Sequence, residues 1–303
     1  MTSSAVLPRR SAVAILLCVG ALFAANHVAA RLAFDDRAGL LLAIVCRSGL
    51  TLLVLAGFVL WQQPRLRLAR GQARWQLVLG VLIALQSLCL YSAVARIPVA
   101  LALLIGNTFP ILLALLTWAL GGSPPTRRAS LLMGLILCGL ILVLDLPAWL
   151  SAAGPAAPGW QAGIGFAFMA ACAFACGLWI TEHRLSSLPG AVRSLYTILI
   201  VFCGMLAAGA AGVVPGGMSP PSGGQGWAAL ATLSVLYATA FTVLFVFVPR
   251  LDMARNAPVM NIEPVASLLF GWLLLDQVFG GLQLLGGAVV LGGIVLLAYS
   301  RRH

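Results

Sequence analysis

Ten apolar runs, separated by short gaps rich in arginine, glycine or proline, constrain the fold of this chain more than any other feature. A helix needs about 20 mostly apolar residues to cross a hydrocarbon core of ~30 Å. Lipid offers no partner to backbone polar groups, so such runs are helices. The predicted spans are residues 11–31, 38–61, 75–95, 97–120, 129–146, 161–181, 194–214, 226–249, 256–275 and 278–300. The sequence therefore predicts an all-α integral membrane protein with ten transmembrane helices.

The composition argues against a soluble protein. Of the 303 residues, 62% are hydrophobic and 8% are charged, whereas soluble domains carry about 25% charged residues. The formal net charge of +11 is spread between the apolar runs instead of forming one basic patch, so we expect no nucleic-acid partner. The run after Arg9 and Arg10 has the form of a signal peptide, but nine comparable runs follow, which favours a retained first helix.

The arginines predict that both termini face the cytoplasm, and we expect the chain to pass repeatedly through the inner membrane of a bacterial cell. Arginine is enriched in cytoplasmic loops. Fourteen arginines lie at the termini and in alternate gaps: Arg9, Arg10, Arg65, Arg67, Arg70, Arg74, Arg127, Arg128, Arg184, Arg193, Arg250, Arg255, Arg301 and Arg302. The opposite gaps hold only Arg31, Arg37 and Arg96. Membrane lipid is the expected surrounding partner, and the glycine-rich last helix fits either a monomer or a homodimer.

The two halves of the chain resemble each other. At an offset of 154 residues, LIGNTFPILLALLTWAL (104–120) aligns with PVMNIEPVASLLFGWLL (258–274). The match pairs Asn107 with Asn261, Pro110 with Pro264 and Trp118 with Trp272. Each half holds five spans, an odd number, so the second half enters the membrane in the opposite orientation. This arrangement predicts two inverted five-helix repeats, residues 1–147 and 160–303, with a solute site where they meet.

Further segments carry a family pattern: FAANHVAARLA in the first span, Arg47 in the second, and LYSAVARIPVALA across the third and fourth. With the aligned segments, they resemble the EamA branch of the drug/metabolite transporter superfamily over nearly the whole chain. The resemblance implies ten helices around a central cavity and export of amino acids or other metabolites. Phe109 departs from symmetry, because it occupies the first-half position equivalent to Glu263 and so confines any acidic role to one half.

Away from the ends of the predicted spans, where Arg31 and Asp145 lie, the only charged side chains are those of Arg47 and Glu263. Each costs about 2.5–3.5 kcal/mol at a helix centre, so neither should face lipid. With a rise of 1.5 Å per residue, Arg47 lies ~15 Å below Arg37 and Glu263 ~12 Å above Arg255. Glu263 is a candidate proton or cation site, and Arg47 a candidate anchor for a substrate carboxylate. In the structural alternative, neighbouring polar groups satisfy each charge, or the two charges satisfy each other.

Pro110 and Pro264 each remove a backbone donor within a span and are candidate helix breaks that offer polar backbone to a cavity. Asn107 and Asn261 precede them on nearly the same face, either as cavity residues or as links between helices. The remaining candidate substrate-binding residues are Asn26, His27, Gln86, Tyr91 and Tyr237. For His27 a neutral, hydrogen-bonded ring is the alternative, and for the tyrosines ordinary packing.

A secondary transporter or facilitator is the function that these features favour. The sequence has no Walker motif, HExxH, GxSxG or acidic pair within the spans, so an enzyme is disfavoured. The seven cysteines form no CxxC pair and have no histidine at ligand spacing, so neither a metal nor another cofactor is expected. Sugars, nucleotide sugars and cationic drugs remain alternative solutes, and a receptor or scaffold is the remaining class.

Overall fold

The computed structural model describes residues 7–62, 66, 68–97, 99–143, 159–214, 216–252, 256–275 and 280–299. The predicted loop around residues 147–158 and the arginines at 65, 67, 255, 301 and 302 lie outside these residues. Across the described ranges the chain is helical and contains no strand. The α-helices are α1 Arg9–Asp35, α2 Leu40–Gln62, α3 Arg70–Val94, α4 Val99–Gly106, α5 Phe109–Ala119, α6 Arg127–Val143, α7 Trp160–His183, α8 Gly190–Ala210, α9 Gly224–Leu251, α10 Ile262–Leu275 and α11 Gly281–Tyr299.

Six of these helices, α1 to α3 and α7 to α9, are long and apolar enough to cross a membrane. Shorter apolar helices, among them α5, account for much of the remaining hydrophobic sequence. Many of their leucines are exposed, which suits contact with lipid tails. The prediction of an all-helical, multi-pass membrane protein is confirmed, while the count of ten spans stays a prediction.

The fourth predicted span of each half is divided near its asparagine. In the first half α4 ends at Gly106 and α5 begins at Phe109. In the second half a 3₁₀ helix at Ala257–Asn261 precedes α10. Pro110 and Pro264 lie in the first turns of α5 and α10, where a missing backbone N–H costs little. Each division therefore places helix ends, with their unpaired backbone groups, inside the apolar sequence.

The helices of the two halves pack in an exchanged pattern. In chain order, α1 corresponds to α7, α2 to α8, α3 to α9, and α5 to α10. The structure packs α1 against α9 and α3 against α7, and likewise α10 against α1 and α5 against α7. The corresponding helices α2 and α8 pack on each other, as do α6 and α11. A two-fold relation between the halves would produce these contacts.

The segment between α1 and α2 joins the segment before α9 through several hydrogen bonds. The Asp36 carboxylate accepts the backbone N–H groups of Gly223 at 2.8 Å and Gly226 at 3.1 Å. Gly223 caps α9 and has no side chain for that role, so Asp36 acts as its N-cap from the other half. A Cβ atom at Gly226 would overlap the same carboxylate. The Gly39 N–H also donates to the Ser219 carbonyl at 2.8 Å.

The placement of Arg193 in a loop is wrong. This residue lies in the first turn of α8 and is fully buried. Its guanidinium donates to the Leu185 carbonyl at 3.4 Å, across the connection from α7 to α8. Gln76 of α3 donates to the Arg193 carbonyl at 3.2 Å and to Thr197 at 2.8 Å. Because Arg184 lies nearby, the sequence of this region suggested a charged loop. Tertiary packing instead buries Arg193.

Candidate substrate cavity

A cavity lies where helices of the two halves meet. Its walls come from α1 to α5 of the first half and from α7, α9, the 3₁₀ helix and α10 of the second. The polar residues that line it are His27, Arg47, Gln86, Asn107, Tyr237 and Glu263. It leaves about 60 Å³ for the centres of water molecules, several times the ~10–15 Å³ that one water needs. In this conformation it can hold a few waters, so a larger solute requires the walls to move.

Glu263, His27 and Asn107 form a buried polar group at one side of the cavity. The Nε2 atom of His27 lies 3.1 Å from the Oε1 atom of Glu263. The Asn107 amide nitrogen lies 3.5 Å from the other carboxylate oxygen, at the long limit of a hydrogen bond, and donates to the Leu103 carbonyl at 2.8 Å. Glu263 is in the first turn of α10, where the helix dipole favours an anion. This group brings an imidazole of the first half into contact with a carboxylate of the second half.

Two atoms of this group lack a hydrogen-bond partner within the described residues: the Nδ1 atom of His27 and the side-chain oxygen of Asn107. Buried polar atoms without partners cost about 1–3 kcal/mol each. Water or a bound solute in the adjoining cavity is the natural way to satisfy them. These two atoms can therefore accept or donate a hydrogen bond without breaking one that the described residues make.

Arg47 is held between two tyrosine rings. Its guanidinium carbon lies 4.2 Å from the centroid of the Tyr91 ring and 3.9 Å from that of Tyr237. The side chain is only 3% exposed. Among the described residues no carboxylate forms an ion pair with it, and its Nε atom has no hydrogen-bond partner. Cation–π contacts offset part of the cost of burying this charge, and Arg47 lines the cavity without a carboxylate partner among the described residues.

Asn26 and Tyr91 stand behind the cavity wall and do not line it. The Tyr91 hydroxyl lies 3.3 Å from the Asn26 side-chain amide. With the amide turned to satisfy its surroundings, its nitrogen donates to the Leu233 carbonyl at 3.1 Å. The Tyr91 ring contacts both Arg47 and His27, the latter edge-on with centroids 6.1 Å apart. Both residues therefore orient the polar side chains of the cavity.

Of the other predicted site residues, some line the cavity and others do not. Gln86 and Tyr237 line the cavity. Asn261 and Pro110 are buried in the described structure but lie outside the lining, and the side chain of Pro264 lies outside the described residues. The two asparagines of the repeat therefore differ, because Asn107 reaches the cavity and Asn261 does not line it.

Aromatic rings form the other walls. Phe109 and Phe174 meet edge-to-face with centroids 4.8 Å apart, and the Tyr237 ring contacts Phe23 at 6.0 Å and Phe241 at 5.5 Å. Phe23, Phe174 and Phe241 could not be identified from the sequence, because an aromatic residue does not stand out in an apolar run. The one available indication was the equivalence of Phe109 with Glu263, which marked that position as facing the cavity.

Metal ligands are not grouped in the part of the chain that the structure describes, where no cluster of three His, Cys, Asp or Glu side chains occurs. The described cysteines are all free thiols, scattered from exposed to buried positions. The cavity chemistry therefore consists of one guanidinium, one carboxylate–imidazole pair, amides and aromatic rings.

A multi-pass helical protein with two corresponding halves and a cavity between them belongs to the class of membrane transport proteins. Residues 10–145 and 160–299 each match the EamA-like transporter family. The chain belongs to this family, which confirms the resemblance and indicates a membrane transporter of small solutes.

A structure titled "Crystal structure of protein" has the same fold. It superposes with a TM-score of 0.70 and shares 19% sequence identity, over 94% of this chain and 97% of that chain. At this identity the likeness describes the fold alone. No curated protein matches the chain significantly.

Proposed function

We propose that this protein is a secondary transporter that exports amino acids, with large apolar or aromatic side chains favoured. The observation that carries the proposal is that one aromatic cavity contains two opposite charges that do not pair with each other. Arg47 presents a guanidinium without a carboxylate partner among the described residues, and Glu263 presents a carboxylate beside His27. A zwitterion offers the complement to both, namely a carboxylate for Arg47 and an ammonium group for Glu263.

Apolar and aromatic side chains suit the rest of the cavity. Pockets for small ligands combine apolar walls with a few polar anchors that fix orientation. Here the anchors lie among Phe23, Phe109, Phe174 and Phe241. A cationic drug would meet the unpaired Arg47 charge unfavourably, so the amino-acid assignment accounts for more of the cavity than that alternative.

Alternating access is the mechanism that we propose, and the small volume of the cavity supports it. The space of about 60 Å³ for the centres of water molecules suits a few waters better than an amino acid, so we expect the helices to open to one side and then to the other. Exchanged contacts such as α1 on α9 and α3 on α7 support two inverted halves that rock against each other. We place both termini in the cytoplasm of a bacterial cell. Reporter fusions after Gly223 and Arg128 should then locate outside and inside, respectively.

Glu263 and His27 supply a means of coupling to protons. The pair can hold a proton in the empty cavity and release it when a substrate ammonium takes its place. Tyr237 of α9 and the charge of Arg47 of α2 line the same space, and Tyr91 of α3 contacts Arg47 from behind the wall. Flux should therefore depend on pH through this pair, whereas a purely structural pair would leave the pH profile flat.

Counterflow in proteoliposomes tests the transport proposal. Vesicles loaded with unlabelled phenylalanine should accumulate external labelled phenylalanine, methionine or threonine faster than empty vesicles do. The matched control is Arg37→Gln, which changes an arginine at the α1–α2 connection, away from the cavity. Exchange of a sugar or nucleotide sugar with no exchange of any amino acid would reject the substrate assignment.

A further inference from the structure

The repeat places a carboxylate and a phenyl ring at corresponding positions of the cavity, and each contacts the first helix of the other half. Glu263 of α10 contacts His27 of α1, and Phe109 of α5 contacts Phe174 of α7. Phe109 corresponds to Glu263 at the offset of 154 residues. The contact of α5 with α7 likewise corresponds to that of α10 with α1. One side of the cavity is therefore ionic where the equivalent side is aromatic.

We infer that Phe109 and Phe174 form the subsite that receives the substrate side chain and sets the preference for aromatic over small amino acids. The inference rests on the proposed function and adds the direction in which the substrate lies. With its carboxylate on Arg47 and its ammonium group on Glu263, the side chain of a bound amino acid extends away from the ionic pair. Phe109 occupies the position equivalent to Glu263, and together with Phe174 it forms the wall that we assign to the side chain.

Ring geometry supports an aromatic occupant. Edge-to-face rings with centroids 4.5–7 Å apart are favourable, and the Phe109–Phe174 pair lies at 4.8 Å and 74°. A third ring can extend this arrangement and keep the same kind of contact. A small side chain such as that of alanine leaves the rings without that contact, so it loses the favourable contribution but still binds through both charges.

Phe174 has a matched control on its own helix. Phe168 lies six residues earlier in α7, is 51% exposed and does not line the cavity. The substitutions Phe174→Ala and Phe168→Ala remove the same atoms from the same helix. Only the first changes the cavity, so a difference between the two variants reports on the subsite and not on the general loss of a phenyl ring.

The experiment measures labelled phenylalanine and labelled alanine counterflow in proteoliposomes of wild type, Phe174→Ala, Phe174→Leu and Phe168→Ala. We expect Phe174→Ala to lower the ratio of phenylalanine to alanine flux by about tenfold or more. Phe174→Leu should give an intermediate ratio, and Phe168→Ala the wild-type ratio. Phe174→Leu keeps most of the apolar volume and decides the question if Phe174→Ala does not fold.

Two results would overturn the inference. An unchanged ratio in a folded, active Phe174 variant would show that the side chain lies elsewhere, and the proposed export of amino acids would stand. Equal losses of phenylalanine and alanine flux would assign Phe174 to the packing of the helices. If wild-type vesicles exchange no amino acid, the proposed function fails first, and the subsite fails with it.

Discussion

Arg47 and Arg193 stand in the same short motif but meet different surroundings. The motif reads RSGLT at residues 47–51 and RSLYT at residues 193–197, in the corresponding helices α2 and α8. In both copies the threonine hydroxyl donates to the arginine carbonyl, at 2.6 Å and 2.9 Å. Arg47 then lies between two tyrosines at the cavity, while Arg193 bonds the connection between α7 and α8.

The difference shows that a repeat can conserve a local motif while the roles of its residues diverge. A buried arginine is costly and needs compensation. For Arg193, part of this compensation comes from the Leu185 carbonyl in the connection between α7 and α8, so its charge helps to hold that connection in place. Arg47 receives aromatic faces and has no carboxylate partner among the described residues. The same residue type is thus expected to act in folding at one position and in binding at the other.

The largest expected effect is that of Arg193→Met, which should mainly affect folding. The substitution keeps an apolar stem but removes the donor to Leu185, and we expect a loss of about 3 kcal/mol in unfolding free energy. Thermal unfolding in detergent measures it. Arg47→Met is the matched variant and should unfold much closer to wild type. Equal destabilisation of the two variants would remove the distinction between the arginines.

Arg47→Gln should abolish most transport while the protein still folds. Losing one partner of a desolvated charge–carboxylate contact costs about 2–5 kcal/mol, so flux at low substrate should fall by roughly 30-fold or more. Arg47→Lys keeps the charge but not the planar, two-pronged geometry, and should retain an intermediate flux. Counterflow of phenylalanine provides the measurement. Wild-type flux in Arg47→Gln would make Arg47 a structural residue.

Glu263→Gln should remove the pH dependence of transport. Glutamine preserves size and hydrogen bonding to His27 and Asn107 but cannot change charge. We expect flux to fall and to lose its dependence on pH. A variant that keeps both the wild-type flux and the wild-type pH profile would place Glu263 among the residues that only hold the helices together.

Asp36→Asn should have the smallest effect of this series. The amide oxygen can still accept one N–H of α9, but the negative charge at the helix N-terminus is lost, which costs about 1 kcal/mol or less. Asp35→Asn is the control, because Asp35 is exposed and pairs with Arg31 at 3.0 Å within the same helix. Thermal unfolding should separate the two by a few degrees, and a larger shift for Asp35 would contradict the capping role of Asp36.

The sequence predicted the helices well because their cause is local. Apolar runs of about 20 residues define the spans, and the repeated asparagine and proline marked where the fourth span of each half divides. The burial of Arg193 could not be predicted from the sequence, because Arg184 and the nearby proline give the region the composition of a loop. The sequence does carry a sign of it, the RSxxT motif shared by residues 47–51 and 193–197, but this motif repeats at an offset of 146 residues and not at 154.

The site was predicted only in part because its contacts are long-range. Arg47, Glu263 and Asn107 stood out as polar residues in apolar runs, where burial is costly. The pairing of His27 with Glu263 joins the first and ninth predicted spans, and no local pattern specifies such a contact. Phe174 was invisible for the opposite reason, because a phenylalanine inside an apolar run has no unusual chemistry.

Equilibrium binding of analogues to purified protein tests the central claim most directly, namely that Arg47 holds the carboxylate and Glu263 the ammonium group of one substrate. Competition against labelled phenylalanine compares phenethylamine, which lacks the carboxylate, with 3-phenylpropionate, which lacks the ammonium group. Wild type should prefer phenylalanine to both. Arg47→Gln should lose its preference over phenethylamine alone, and Glu263→Gln its preference over 3-phenylpropionate alone. If each variant loses both preferences equally, or loses neither, then Arg47 and Glu263 do not bind the carboxylate and the ammonium group of one substrate.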